Sequence, residues 1–433
     1  NWMKMVRVGF HLHNDGQETV DCSRIIYGNP GIGGAEYAII AIAYMLSVDK
    51  NDIEVRLYAH KQGIFPSGLE YNVCNNVENA VTIASQDNLD YFVIDYKRLP
   101  HELVCKYKAL NFVVWAHNFI VAKDFDFYYK HPNIARIINV GCEQRDLYCD
   151  HPMADRLDYI YNGVLMQSID KYDVINHPFE KRNLNVAYVG SLVPAKGFDL
   201  LASAWPAVLA KVPDAQLFVV GSGKLYNRNS VLGKWNIADE KFENKFMKHI
   251  TNDNQVLPSV HFLGVLGEEK NDLLLKCRVG VPNPSGNTET FGFTAIEMQS
   301  MGCNITTMKC SGYLDTVFTK RYLYYNSNNL AKNIIKLLLQ KEHDYNEVYS
   351  FIKQNFSFDK IVLEWEQLFK EALPGHKLLH PYSIKKNPFY RLKFIKLGLQ
   401  GMKFRFNFLN QLPTIEYFLQ HSWDKVLWHI NNK

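Results

Sequence analysis

Short apolar runs rich in β-branched and aromatic residues alternate with helical patterns along most of the 433-residue chain. In the first part, this pattern predicts a helix over residues 34–46 and strands at residues 6–12, 55–59, 81–84, 91–95, 112–116, 137–140 and 159–161. Strands that alternate with helices are typical of a parallel sheet covered by helices.

The same alternation restarts after a charged segment at residues 167–182, which has the composition of a linker. It predicts strands at residues 185–189, 217–220, 260–263 and 278–282, helices at 198–211 and 292–301, and a polar insertion at 224–258. We therefore expect an α/β protein with two doubly wound, Rossmann-like domains that face each other across a cleft. Because open parallel sheets bind ligands at the carboxyl ends of their strands, motifs that follow strands are the first candidates for a site.

Charge is distributed unevenly along the chain. An apolar content of 47% and a charged content of 21% exclude a disordered, collagen-like or coiled-coil protein. The formal charge is +4, but residues 376–433 carry ten Lys or Arg against two acids, a charge of +8, which leaves −4 for residues 1–375. The sequence thus predicts an acidic body with a basic tail.

The cysteines and the apolar stretches bear on the cellular compartment in which the protein is expected. Eight cysteines without a Cys-x-x-Cys pair predict reduced, mostly buried thiols. The first residues lack the apolar core of a signal peptide, and the longest apolar stretch, residues 37–46, is too short to cross a bilayer. We expect a cytoplasmic protein.

Residues 283–297, Asn-Pro-Ser-Gly-Asn-Thr-Glu-Thr-Phe-Gly-Phe-Thr-Ala-Ile-Glu, carry the strongest chemical signal. They follow a predicted strand and open a helix, whose positive end and first amides, at Phe291 to Phe293, suit a diphosphate. Glu297, about one turn into the helix, suits two vicinal hydroxyls. Glu289 precedes the helix and suits a sugar hydroxyl or a developing cation. The structural alternative is a glycine-kinked turn with an acid near the helix start.

Two further loops contain residues that suit an anion. In residues 188–199, Gly190 ends a strand and Lys196 stands where a helix begins, so that its ammonium suits a phosphate. In residues 29–36, Gly33 and Gly34 allow a close backbone approach to an anion, although the spacing is not that of a dinucleotide-binding fingerprint. A solvated lysine and a simple glycine turn are the alternatives.

In this order, the motifs resemble the retaining glycosyltransferases of family 4, which have the GT-B fold. The resemblance covers about residues 5–372. It is carried by Gly-Gly-Ala-Glu at 33–36, Trp-Ala-His at 115–117, Asn-Gly-Val at 162–164, Val-Gly-Ser-Leu-Val-Pro-Ala-Lys-Gly at 189–197, Val-Val-Gly-Ser-Gly at 219–223, Val-His-Phe-Leu-Gly at 260–264 and the Glu-x7-Glu pair at 289 and 297.

The resemblance implies an enzyme that moves a sugar from a nucleotide diphosphate-sugar, with a UDP-sugar favoured, to a glycan or lipid-linked glycan in polysaccharide biosynthesis. Departure and attack would occur on the same face of the sugar, with retention of the anomeric configuration. No metal and no other cofactor is expected, because Lys196 and a helix N-terminus would offset the charge of the leaving diphosphate.

The resemblance also implies residue roles. Catalysis would fall to His117 near the transferred sugar, Glu289 on the sugar ring and Lys196 on the diphosphate. The donor would be bound by Gly33, Gly34, Gly190, Ser191, Lys196, Phe291, Gly292 and Glu297, the last of these on the ribose. His13 and Asn118 are candidates for the acceptor side. Ser191 departs from the family, which usually has an arginine there, and this removes a bidentate phosphate contact.

Two patterns compete as metal sites. Asp124 and Asp126 have the Asp-x-Asp spacing of a metal-dependent transferase fold, but they do not follow a clean apolar strand. His11 and His13 lie on one side of a strand, but the sequence shows no partner cluster for them. We therefore predict no metal site.

Two other functions stay open. One is a different GT-B chemistry, such as a nucleotide-sugar epimerase, which would form product from the donor alone. The other is a degenerate GT-B scaffold that binds a partner through the basic tail, an interpretation that Ser191 favours and that Glu289, Glu297 and Lys196 oppose.

The resemblance divides the chain into an acceptor-side domain at 1–166, a nucleotide-sugar domain at 167–355, a helix at 356–374 that crosses back to the first domain, and an extension at 375–433. In the extension, Leu392, Ile395, Leu399, Met402 and Phe406 share one helical face, with basic residues around it. This pattern favours docking of residues 385–408 on an anionic membrane surface, at the inner face of the membrane. Packing on the body or on a second subunit is the next alternative, and nucleic-acid binding is the least favoured. The oligomeric state stays open.

Overall fold

The computed structural model describes residues 5–48, 52–224 and 231–422. They form two compact units. Of the described residues, those within 5–25, 35–161 and 361–422 belong to the first unit, and those within 26–34 and 162–360 belong to the second. The glycine loop before residue 35 is therefore grouped with the second unit, although the sequence suggests the first domain.

The first unit is built on a seven-stranded parallel sheet in the order β3-β2-β1-β4-β5-β6-β7. Its strands are β1 (Val6–Leu12), β2 (Ile53–Ala59), β3 (Tyr71–Val73), β4 (Tyr91–Asp95), β5 (Phe112–Ala116), β6 (Ile134–Asn139) and β7 (Leu157–Tyr159). Its connecting helices are α1 (Gly34–Val48), α2 (Val77–Gln86), α3 (His101–Lys106), α4 (Ala122–Tyr129) and α5 (Cys142–Asp146).

The strand predicted at residues 81–84 is wrong, because these residues lie within α2. The side chain of Asn76 caps this helix by accepting a hydrogen bond from the amide of Asn79. Ala80, Val81 and Ala84 form its buried face. The apolar run is therefore one face of a short helix. Periodicity over only four residues does not distinguish a helix from a strand.

The second unit is built on a five-stranded parallel sheet in the order β12-β9-β8-β13-β14. Its strands, including two short flanking pairs, are β8 (Asn185–Val189), β9 (Gln216–Val220), β10 (Thr251–Asn252), β11 (Gln255–Val256), β12 (Val260–Gly264), β13 (Val279–Gly280), β14 (Asn304–Ile305), β15 (Thr307–Met308) and β16 (Leu323–Tyr324). Its helices are α6 (Met166–Asp170), α7 (Phe198–Leu209), α8 (Glu240–Ile250), α9 (Lys270–Leu274), α10 (Phe293–Ser300), α11 (Ser311–Thr316), α12 (Leu330–Leu338) and α13 (Tyr345–Phe356).

The segments predicted to be irregular contain structure of their own. The predicted linker includes α6, and the polar insertion includes α8 and the β10–β11 hairpin. Residues 225–230 of the insertion lie outside the described residues. The buried carboxylate of Glu243 orders the turn before α8 by accepting hydrogen bonds from the amides of Trp235, Ile237 and Ala238. The two Rossmann-like sheets confirm the predicted fold class.

Helix α14 (Phe358–Gln367) contains the boundary between the units, since residues up to 360 belong to the second unit and later ones to the first. Beyond it, α15 (Lys393–Arg405) packs on the first unit with three lysines facing inward. Lys393, Lys396 and Lys403 are only 2%, 1% and 4% exposed, whereas Phe394 and Phe404 are 39% and 59% exposed. The predicted arrangement, with these lysines around an interfacial apolar face, is therefore wrong for all three.

Acidic groups of the first unit explain why lysines are buried there. The Nζ atom of Lys393 lies 3.3 Å from Oε1 of Glu143 and also contacts Asp146. Burial disfavours the charged amine, but these carboxylates outweigh it and raise the pKa of Lys393. Part of the basic tail thus neutralises buried acids of the acidic body.

All eight cysteines lie within the described residues and are free thiols, six of them buried. Over the same residues, every helix is too short or too polar to cross a membrane.

Candidate active site

Three loops of the second unit meet at the carboxyl ends of β8, β9 and β13. A Cβ atom on Gly221 would lie 1.8 Å from the carbonyl oxygen of Gly190, so only glycine permits the approach of the loops after β8 and β9. A Cβ atom on Gly197 would lie 2.6 Å from the amide nitrogen of Ser285, and Gly197 has a φ of +64°. The loop after β8 therefore packs directly on the loop after β13.

This packing brings the side chains of Lys196 and Glu289 together. Their Nζ and Oε2 atoms are 3.0 Å apart, and the two side chains are 19% and 16% exposed. The same Oε2 atom accepts a hydrogen bond from Asn283 at 3.0 Å and lies 3.4 Å from the hydroxyl of Tyr313. Burial raises the pKa of Tyr313, which keeps its hydroxyl protonated and able to donate. Glu289 is thus held in place, and it holds Lys196 at the strand ends.

Helix α10 begins beside this pair, at the turn that contains Phe291 and Gly292. Gly292 is the N-cap with a φ of +89°, and a Cβ atom there would lie 2.6 Å from the ring of Tyr313. The first turn of α10 contains no acidic residue. The glycine loop ends against the same turn, since a Cβ atom on Gly34 would lie 3.8 Å from the ring of Phe293. The fold of the second unit therefore brings Gly34 to the start of α10.

Glu297 lies in α10 and forms a second ion pair, with Lys270 of α9. Their Oε1 and Nζ atoms are 2.9 Å apart, with side chains 32% and 18% exposed. The carboxylate of Glu297 raises the pKa of Lys270. Because Glu297 remains one-third exposed, its carboxylate is accessible to a polar ligand.

Ser191 does not take the place of the arginine that the family usually has. It is 1% exposed, and its hydroxyl lies 3.3 Å from the carbonyl oxygen of Ser222. The residue therefore serves the contact between the loops after β8 and β9, and Lys196 and Lys270 supply positive charge in this unit.

In the first unit, His117 follows β5 and pairs with Asp95, the last residue of the neighbouring β4. The Nδ1 and Oδ2 atoms are 2.9 Å apart, and both side chains are 8% exposed. The ring of Trp115 packs beside His117 with a centroid distance of 4.5 Å. Asn118, next in the chain, is half-buried, and its carbonyl oxygen accepts a hydrogen bond from Gln144 at 3.2 Å. The sheet thus fixes the orientation of the His117 imidazole.

Asp124 and Asp126 lie on α4 and have different partners. Asp124 accepts a hydrogen bond from Tyr96 at 2.6 Å, and it lies 3.3 Å from His101. Asp126 lies 3.0 Å from the Nε2 atom of His151. Each of the two aspartates therefore has its own hydrogen-bonding partner within the first unit. His13 instead lies 3.4 Å from Asp15, at the end of β1.

Sequence reasoning assigned no role to Lys270, Asn283, Tyr313 or Asp95. Two signals were available, since Asp95 ends a predicted strand next to that of His117, and Asn283 begins the strongest motif. The contacts of Lys270 and Tyr313 with the two glutamates depend on how α9 and α11 pack, which no local pattern reveals.

The comparisons with known proteins agree with this architecture. Residues 183–340 match the family model described as Glycosyl transferases group 1. A search of curated proteins finds no match to the chain.

Solved structures share the fold over most of the chain. The Anabaena protein HepE, in complex with UDP and glucose, is 17% identical, with a TM-score of 0.56 over 84% of this chain and 99% of that one. AviGT4, a glycosyltransferase involved in avilamycin A biosynthesis, is 14% identical, with a TM-score of 0.55 over 86% and 98%. A glycosyltransferase from Rickettsia africae is 14% identical, with a TM-score of 0.57 over 85% and 98%. The chain has the GT-B fold, and this fold together with the match over residues 183–340 identifies a transferase enzyme of the glycosyltransferase type.

Proposed function

We propose that this enzyme transfers a sugar from a nucleotide diphosphate-sugar to a glycan or lipid-linked glycan, with retention of the anomeric configuration and without a metal ion on the diphosphate. The observation that carries the proposal is the Lys196–Glu289 pair beside the start of α10, with Glu297 of the same helix paired to Lys270 of α9. A UDP-sugar is the favoured donor, which agrees with the UDP and glucose in the HepE structure.

The chain's residues suit the charge changes of this reaction. The bond between the anomeric carbon and the diphosphate breaks, and its electron pair goes to the phosphate oxygen. The acceptor oxygen bonds to the same face of that carbon, and its proton passes to the leaving phosphate. Lys196 and the N-terminus of α10 stabilise the developing negative charge, and Glu289 faces the positive charge on the sugar. As the resemblance implies, we place His117 near the transferred sugar, and His13 and Asn118 on the acceptor side.

A donor screen tests the proposal directly. We expect UDP-sugars to raise the melting temperature of the protein more than GDP- or ADP-sugars do, because only a bound ligand stabilises the folded state by mass action. Stabilisation by none of these donors would contradict the proposal. Product formed by donor alone, without an acceptor, would identify an epimerase-type reaction instead.

Replacing Glu297 by alanine is expected to weaken UDP binding by about 10- to 100-fold, because it removes an acceptor for charge-assisted hydrogen bonds from the ribose hydroxyls. Calorimetric titration with UDP measures the effect. Glu268→Ala is the matched control, since Glu268 is 59% exposed and pairs with Lys171. Equal UDP affinity in the wild type and in Glu297→Ala would remove Glu297 from the donor site.

We further propose that the exposed face of residues 385–408 docks on an anionic membrane surface, at the inner face of the membrane. The helix turns its lysines to the protein, which leaves large apolar side chains facing outward: Phe389 is 79% exposed, Phe404 59% and Phe408 72%. Lys385, Lys386 and Arg405 are exposed on the same segment. Aromatic side chains with basic neighbours suit the headgroup region of an anionic bilayer.

The double variant Phe404→Glu/Phe408→Glu is expected to weaken binding to phosphatidylglycerol vesicles by at least about 100-fold, because each buried ring contributes about 1.5–3 kcal/mol. Vesicle co-sedimentation measures this. Ile175→Glu is the control, since Ile175 is 67% exposed in the second unit. These substitutions preserve the inward lysines, whereas truncation after residue 375 would remove Lys393 from Glu143 and Asp146. If the wild type fails to sediment with vesicles, this docking proposal is wrong.

A further inference from the structure

A cluster of two histidines and one aspartate lies outside the proposed donor site, at the carboxyl edge of the first sheet. His13 directly follows β1, and His60 directly follows β2. The two strands are parallel neighbours, with Leu12 paired to Ala59, so the register brings His13 and His60 to the same edge. Asp15 completes the group, two residues after His13.

The donor atoms of these three side chains converge. One donor atom from each residue lies within 4.8 Å of the others, and no further group of this kind occurs in residues 5–48, 52–224 and 231–422. The Nε2 atom of His13 lies 3.4 Å from Oδ2 of Asp15, and the Nδ1 atom of His60 lies 3.8 Å from Oδ1. In a tetrahedral zinc site with bonds of about 2.0–2.1 Å, the donors are about 3.3 Å apart. Small rotations of the two outer side chains therefore close the site.

Contacts around the cluster hold it ready for a metal ion. The Nε2 atom of His60 lies 2.9 Å from the Nε2 atom of the buried His11. When His60 donates this hydrogen bond, its Nδ1 lone pair is directed at the cluster, as in the histidine ligands of metal proteins. The side chain of Asn14 bonds both the carbonyl oxygen and the amide of Lys61, each at 2.9 Å. The two loops that carry the ligands are thereby tied together.

The exposure of the three side chains gives the site an entry path. The side chain of His60 is 8% exposed and forms the base, whereas those of His13 and Asp15 are 28% and 49% exposed. From this geometry we infer that His13, Asp15 and His60 bind a divalent transition-metal ion of the Zn²⁺ class. Three protein ligands leave a fourth tetrahedral position for an oxygen, from water or from a bound hydroxyl. The inference is independent of the proposed transfer reaction, which assigns no metal to the diphosphate.

Direct titration tests the site. Full-length, metal-stripped protein is titrated with Zn²⁺ in competition with a chromophoric chelator, and then with Co²⁺, whose visible absorption reports four-coordinate geometry. We expect one ion per chain, with Asp15→Asn and His13→Gln each weakening the Zn²⁺ affinity on the order of 10- to 100-fold or more. His101→Gln, a change to a 38% exposed histidine that pairs with Asp124, is the matched control and keeps the wild-type affinity.

A second measurement separates loss of the site from loss of the fold. Without metal, Asp15→Asn and the wild type are expected to melt at the same temperature, because Asp15 is exposed. Zn²⁺ then raises the melting temperature of the wild type and not that of the variant. A wild type that binds no stoichiometric Zn²⁺, or variants that bind it equally well, would overturn the inference. Neither result depends on a nucleotide-sugar, so failure here leaves the proposed transfer reaction to its own test.

Discussion

Replacing Lys196 by alanine is expected to lower kcat by about 100- to 1,000-fold, the loss typical of removing one preorganised donor from a developing oxyanion. The Nζ atom of Lys196 is held 3.0 Å from Glu289, at the carboxyl ends of β8 and β13 and beside the start of α10. The negative charge on the leaving diphosphate grows in the transition state, so the loss should fall on kcat more than on the KM for the donor. Steady-state kinetics with the donor found in the screen measures both.

Lys211→Ala is the matched control, since Lys211 is an exposed lysine of the same unit, just after α7. It should keep the wild-type kcat. Lys196→Arg should recover part of the lost rate, because it restores the positive charge in a different shape. A Lys196→Ala enzyme with wild-type kcat would show that this side chain does not stabilise the leaving group.

Replacing Glu416 by alanine is expected to destabilise the docking of α15 by about 3–5 kcal/mol, the cost of removing one partner from a buried ion pair. The Oε2 atom of Glu416 lies 2.7 Å from the Nζ atom of Lys396, and both side chains are 1% exposed. Glu416 also pairs with Arg391. Without this carboxylate, the buried ammonium of Lys396 loses its ion-pair partner at 2.7 Å and keeps a hydrogen bond to the carbonyl oxygen of Leu147, at 2.9 Å.

Hydrogen exchange of the amides in α15 measures this effect locally, which matters because a two-unit chain has no single free energy of unfolding. Glu371→Ala is the matched control, since Glu371 is 64% exposed and lies 3.9 Å from Lys377. It should leave the exchange of α15 unchanged. Wild-type protection of α15 in Glu416→Ala would show that the buried pair does not hold the tail.

The elements that the sequence predicted well are those with strong local signals. The strands at 6–12, 91–95, 112–116 and 185–189 have the predicted bounds, because each is a short run rich in β-branched and aromatic residues. The run at 81–84 has the same composition but is one face of α2, since the Asn76 cap and the packing of three small or β-branched side chains favour a helix. A run of four residues contains too little periodicity to distinguish these cases.

The tail shows where local pattern fails. Apolar and basic residues at helical spacing predicted a helix, and α15 is present at 393–405. Which face is buried depended on what the helix meets. It meets Glu143, Asp146 and Glu416, so the lysines are buried and the phenylalanines are exposed. The amphipathic pattern of α15 predicts that one face of the helix is covered. Only the charges that the helix meets decide which face that is.

By itself, the sequence determined the alternation of strands and helices, and hence the two parallel sheets, the loops after strands that contain Lys196, Glu289 and His117, and the helix that contains Glu297. It did so because side-chain periodicity and turn residues act over a few neighbouring positions. Only the tertiary structure decided which side chains meet. It paired Lys196 with Glu289, Lys270 with Glu297, and His60 with Asp15, across separations of up to 93 residues. Such contacts follow from strand register and loop packing, which no local segment specifies.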